Sequence, residues 1–136
     1  MSHRILVVDD DSDTRLLNKC ALELQNYNVD LAASCDEALL FLAEHTPPDV
    51  ILLDLSMPGL SGTDFIQKLQ QNPRWETISV IIISGWDNLE QRAREMGAQG
   101  FIRKPFGLDF LYDRVAQVLQ VSDGRREQNS GQVFRT

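Results

Sequence analysis

Five times along the chain a short apolar run is followed by a segment with the period of an amphipathic helix. The clear runs are Ile5–Val8, Val50–Leu53, Val80–Ile83 and Gly100–Ile102, with a weaker one at Val29–Ala32. Most are unbroken and β-branched or Leu-rich, as strands buried on both faces are. In the segments between, apolar residues recur on one helical face: Leu16, Cys20 and Leu24, then Ala38 and Leu42, then Phe65 and Leu69. Leu89, Ala93 and Met96 mark the fourth helix, and Leu111, Val115 and Val118 the fifth. Strand–helix alternation without an internal repeat predicts an α/β fold, a parallel sheet with helices on both faces.

Local signals agree with these boundaries. Ser34 with Glu37, and Ser61 with Asp64, match capping boxes at the second and third helices. Gly97 suits the end of the fourth helix, and Asn26 a left-handed turn after the first. Cys20, among Leu16, Leu17, Ala21 and Leu24, reads as a small core residue. Cys20 and Cys35 lack metal-ligand spacing, which fits a reducing, cytoplasmic setting. The N-terminus "MSHRILVVDDD" lacks the apolar core of a signal peptide. No run approaches the roughly 20 apolar residues of a membrane span. A net charge of −7 argues against the domain holding nucleic acid directly. After Gln120 the chain turns polar, so the expected division is a domain over 1–120 and a flexible tail or linker over 121–136.

Polar residues follow the strands. The first run leads into Asp9, Asp10 and Asp11, the third into Asp54, the fourth into Ser84, and the fifth into Lys104 and Pro105. Singly, each has a plain explanation: an N-cap, a turn, a helix entry. In a doubly wound sheet, however, the carboxyl ends of the strands share one edge, where ligands bind. Carboxylates gathered there repel one another and favour a divalent cation. Hard oxygen donors without Cys or His point to Mg2+, which keeps waters and takes one or two carboxylates. A carboxylate beside such a cation can attack phosphorus to give an aspartyl phosphate. Lys104 and Ser84 would supply an ammonium and a hydroxyl to the phosphoryl oxygens.

The stretches "ILVVDDDSDTR", "DVILLDLSMPGLSG", "VIIISG" and "GAQGFIRKPF", in this order over roughly residues 3 to 120, resemble the receiver domains of bacterial two-component response regulators. The resemblance implies a flavodoxin-like (βα)5 fold with strand order 2-1-3-4-5. It implies that Asp54 accepts a phosphoryl group from a sensor histidine kinase or histidine phosphotransfer protein. Asp10, Asp54 and the backbone carbonyl of Ser56 would bind Mg2+, with Asp9 acting through its water shell. Lys104 would pair with the phosphoryl group, and the Lys104–Pro105 bond would be cis. Ser84 would be the switch hydroxyl and Phe101 the switch aromatic, remodelling the face of the fourth helix, fifth strand and fifth helix for a downstream partner. Such a protein is a switch that catalyses its own phosphorylation and dephosphorylation, not a metabolic enzyme.

Asp11 departs from the family pattern and reads as a cap of the first helix. The charged dimer pattern of the winged-helix transcription factor subfamily is absent, so that dimer is not assumed, though a homodimer stays open. For Trp86, two readings stand side by side: packing on Phe101 or the fourth helix, or setting the phosphate lifetime together with Ser56 by excluding water. A flavin binder would need a Ser-, Thr- or Gly-rich loop where "DDDSD" stands. A phosphatase of the haloacid dehalogenase type would use Asp9 and Asp11 as its acid pair but leaves Asp54 unexplained. A receiver that never meets phosphate would not need all five key positions filled. The polar segment after residue 120 holds no hydrophobic run to launch a domain. A single-domain regulator is therefore expected, with the front of a longer regulator as the other reading.

Overall fold

The computed structural model describes residues 2–55 and 61–129, the last five by backbone alone. The elements in chain order are β1 (Arg4–Val8), α1 (Ser12–Glu23), β2 (Asn28–Ala32), α2 (Cys35–Glu44), β3 (Val50–Asp54), α3 (Gly62–Gln71), β4 (Ser79–Ser84), α4 (Leu89–Met96), β5 (Gly100–Arg103) and α5 (Leu108–Asn129). The five strands are parallel, in the order β2-β1-β3-β4-β5. Order reverses at β1, so the crevice between the carboxyl ends of β1 and β3 is the topological switch point.

Side-chain alternation splits the core in two. Leu6, Val8, Ile51, Leu53, Val80 and Ile82 face one side of the sheet and pack with Ala38, Leu42, Phe65, Leu69 and Ala93 from α2, α3 and α4. Ile5, Val7, Val50, Leu52, Ile81 and Ile83 face the other and meet Ala21 and Leu22 of α1 and Leu111, Val115 and Val118 of α5. Burial on both faces explains why β1, β3 and β4 read as unbroken apolar runs.

The local signals act as their chemistry requires. Ser34 Oγ accepts from the Glu37 N–H at 3.0 Å, and Glu37 Oε1 accepts from the Ala33 N–H at 3.2 Å. Ser61 Oγ accepts from the Asp64 N–H at 3.1 Å. Gly97 ends α4 at φ +88°, and a Cβ there would strike the Gln70 amide. Asn26 takes φ +67° in the turn after α1.

One expectation fails. α1 buries Asn18, Ala21 and Leu22, whereas Leu16 and Leu24 are 55% and 76% exposed, and Leu17 and Cys20 are exposed beside them. Cys20 is therefore not a core residue. The helix carries two candidate faces, and the fold buries the one with the smaller side chains, where Tyr112 of α5 comes close enough to donate to the Ala21 carbonyl at 3.1 Å. Past Gln120, where the sequence turns polar, the chain is still helical. α5 continues to Asn129, Ser122 is buried, and Asp123 Oδ2 lies 3.3 Å from His3 Nε2. The extension contains no proline, and its Arg, Glu and Gln residues are good helix formers.

Candidate phosphoacceptor site

The expected acids, switch hydroxyl and lysine on the described chain stand at or just past the ends of strands, while Phe101 lies within β5. Asp9 follows β1, Asp54 closes β3, Ser84 closes β4 and Lys104 follows β5. The pairings fix their relative positions: Asp54 lies beside Ile83, and Ser84 beside Arg103. The Lys104 N–H donates to the Ser84 carbonyl at 2.9 Å, and the Leu55 N–H to the Ile83 carbonyl at 3.3 Å. Three strand ends are thereby held level, and the Lys104 side chain reaches over the end of β4. Its Nζ lies 2.5 Å from Asp54 Oδ2. Asp54 is 5% exposed and the lysine 37%, so this charge pair is partly shielded from water. Lys104–Pro105 is a cis peptide, as expected.

Asp9 is buried, while Asp10 is exposed at the rim. Burial is the main cause that pushes the Asp9 carboxyl above the usual range, and the negative charges of Asp54 and Asp10 add to it. The Asp11 N–H, donating to Asp9 Oδ1 at 3.0 Å, and the Lys104 charge act the other way. The Arg15 Nη1 donates to the Asp9 carbonyl at 2.7 Å and ties the turn to α1. Asp11 caps α1, its Oδ1 accepting from the Asp13 N–H at 3.0 Å. That role removes it from an acid pair with Asp9.

Among the described residues no three His, Cys, Asp or Glu side chains form a ready-made metal cage. The donors still suit Mg2+: an all-oxygen set in which Asp9 and Asp54 are buried and close enough to raise the pKa of Asp9. Ser56, expected to contribute a carbonyl and to set the phosphate lifetime, lies outside the described residues.

Ser84 is buried, and its Oγ accepts from the Trp86 N–H at 3.1 Å. Trp86 is half-buried against the α2–α3–α4 core, with the Arg92 guanidinium carbon 3.5 Å from its ring centroid. This is the first of the two readings of Trp86, packing on the fourth helix. Phe101 is half-buried on the same side, and Arg114 of α5 lies 5.2 Å from its ring. Sequence reasoning missed two features here. Arg92 has no marker, because an arginine on a helix is ordinary. The exposed apolar stripe of α1 is visible in sequence, but helical spacing alone points it to the core rather than to the surface where it lies.

A parallel five-stranded sheet in the order β2-β1-β3-β4-β5 with helices on both faces defines the flavodoxin-like fold. Comparison narrows this to a family: the response regulator receiver domain matches residues 5–116, and the chain belongs to it. The chain is 32% identical over 122 residues to the phosphate regulon transcriptional regulatory protein PhoB of Rhizobium meliloti, covering 88% of this chain and 53% of that protein. It is 36% identical over 138 residues to the response regulator PleD of Caulobacter vibrioides, covering 96% and 30%. The chain thus spans about half or less of the length of these curated relatives. Among solved structures, a putative response regulator from Chloroflexus aurantiacus superposes with a TM-score of 0.82 at 29% identity, covering 88% of this chain and 99% of that one. NtrX from Brucella abortus gives 0.87 at 30% identity, covering all of this chain and 31% of its own. The protein is a receiver domain of two-component response regulators. No described helix is long and apolar enough to cross a membrane.

Proposed function

We propose that Asp54 is the acceptor of a phosphoryl group carried by a histidine of a partner protein, and that its occupancy switches a distant surface. The observation that carries this reading is the buried Asp54 carboxylate with Lys104 Nζ at 2.5 Å and Asp9 beside it at the switch-point edge. An Asp54 carboxylate oxygen attacks phosphorus. The new O–P bond forms as the P–N bond to the donor histidine breaks, and the leaving nitrogen keeps the electron pair. Lys104 exchanges its Asp54 contact for a phosphoryl oxygen, and Ser84 donates its hydroxyl to another. Asp10, Asp54 and the Ser56 carbonyl, with Asp9 through water, would hold Mg2+, which would neutralise charge at the phosphoryl oxygens. As Ser84 moves, Phe101 rotates into the space released.

The exposed Leu16, Leu17, Cys20 and Leu24 begin one helical turn beyond the acidic loop and offer the phosphodonor an apolar footing. On the other flank, a depression of about 410 Å³ lined by Glu90, Ala93, Arg94, Gly100, Phe101 and Arg114 suits a downstream partner on the α4-β5-α5 face. The domain acts in the cytoplasm and binds no nucleic acid itself.

Incubation with acetyl phosphate, with and without Mg2+, followed by intact mass measurement, tests the reading. One added phosphoryl group is expected, dependent on Mg2+ and absent in Asp54→Ala. Labelling that persists in Asp54→Ala, or that ignores Mg2+, overturns it. A shielding role for Trp86 predicts faster hydrolysis of the acyl phosphate in Trp86→Ala, and an unchanged rate removes that role.

A further inference from the structure

The β4–α4 loop is held at consecutive points. The Trp86 N–H donates to Ser84 Oγ at 3.1 Å, and the Trp86 ring lies under the Arg92 guanidinium at 3.5 Å. Asp87 Oδ1 accepts from Arg103 Nη2 at 2.8 Å, and Asn88 enters α4 at φ +59°. The Asp87–Arg103 pair is exposed on both sides and holds weakly. The cation over the ring is the firmer contact, because the guanidinium carbon sits 3.5 Å from the indole centroid and the ring is half out of water.

We infer that Arg92 is a positioning residue for the switch: by clamping the Trp86 ring onto α4 it fixes the loop amide that holds the Ser84 hydroxyl away from Asp54. The inference rests on the phosphoacceptor reading and deepens it. Ser84 is buried and already accepts from Trp86. For it to turn toward a phosphoryl group, that hydrogen bond must break or the Trp86 amide must travel with it. A ring pinned by Arg92 opposes the second route. The clamp therefore biases the unphosphorylated state, and its removal lowers the cost of reaching the phosphorylated one. Arg92 acts through Trp86 and touches no reacting atom.

The test is the initial rate of Mg2+-dependent labelling by acetyl phosphate in five proteins: wild type, Arg92→Ala, Arg92→Lys, Trp86→Ala and the Arg92→Ala/Trp86→Ala double variant. Arg92→Ala is expected to label about two- to fivefold faster, the range for an exposed cation over an indole. Arg92→Lys, which keeps a cation over the ring, restores most of the wild-type rate. In the double variant the Arg92→Ala increment disappears, since no ring remains to be held. Trp86 emission, isolated by difference from Trp86→Phe, is expected to shift on phosphorylation of the wild type. Arg92→Ala should show that shift before phosphorylation. If wild type is labelled at Asp54 but Arg92→Ala is no faster, or the two substitutions act additively, the clamp is overturned and the phosphoacceptor reading stands. Trp86 emission indifferent to both phosphorylation and Arg92→Ala also overturns the clamp alone. Failure of wild type to take up phosphate overturns both.

Discussion

At the residue scale, Asp9 and Cys35 are both pushed upward in pKa, chiefly by burial, with opposite practical results. Asp9 titrates above its ordinary value of about 3.8 because burial and the neighbouring charge of Asp54 penalise its anion. A raised folded value means the neutral form is favoured by folding. The associated stability is full below the ordinary value and is lost as pH rises through the raised one. At pH 7 without divalent cations, Asp9→Asn should therefore be the more stable protein, with a higher urea midpoint. The Asn side-chain oxygen can still accept from the Asp11 amide. Equal urea midpoints for the two proteins at pH 7 would refute this. The Cys35 thiol is pushed up to about 11, while Cys20 is exposed. At pH 8 a thiol-specific alkylating reagent should modify Cys20 alone in the native protein and both cysteines after unfolding, read by mass. Asp9, Asp54, Ser84 and Lys104 were legible in the sequence because each follows an apolar run, and parallel strands bring such positions to one edge. Arg92 was not, because its meaning lies in what its guanidinium covers.

At the scale of elements, the helices show where periodicity is enough and where it misleads. α3 has one apolar face, and Phe65 and Leu69 are buried as the spacing predicts. Phe65→Ala should cost about 3–5 kcal/mol in denaturant unfolding. α1 has two candidate faces, and counting leucines selects the wrong one. Burial there is decided by fit: Ala21 lets Tyr112 of α5 approach the α1 backbone, and no property of α1 alone encodes that. Its start was legible nonetheless. Asp11→Ala, which removes the cap oxygen accepting from Asp13 and Thr14, should destabilise by about 1 kcal/mol. β5 and α5 also meet closely at Gly100, where a Cβ would lie 3.0 Å from Val118 Cγ2. This contact ties β5 to the helix that carries Arg114.

For the molecule as a whole, the fold class followed from the strand–helix alternation, but the end of the last helix did not. Residues 121–124 look like linker by composition, yet Ser122 is buried and Asp123 meets His3 at the other end of the chain. A chain ending at Gln120 loses both, and its thermal midpoint should fall by a few degrees, on the order of 1 kcal/mol. The strand order has a further consequence. The segments Val50–Leu53 and Val80–Ile83 are uncharged, β-branched or Leu-rich, and free of proline, a composition prone to cross-β stacking when exposed. The order β2-β1-β3-β4-β5 encloses both. The strands left at the margins are poor templates: β2 carries Asp30 at its centre, 3.6 Å from Arg4, and β5 has 4 residues and closes on exposed Arg103. The wiring that gathers the polar strand ends also withholds the most aggregation-prone sequence from neighbouring molecules, and the edges it leaves open discourage polymerisation.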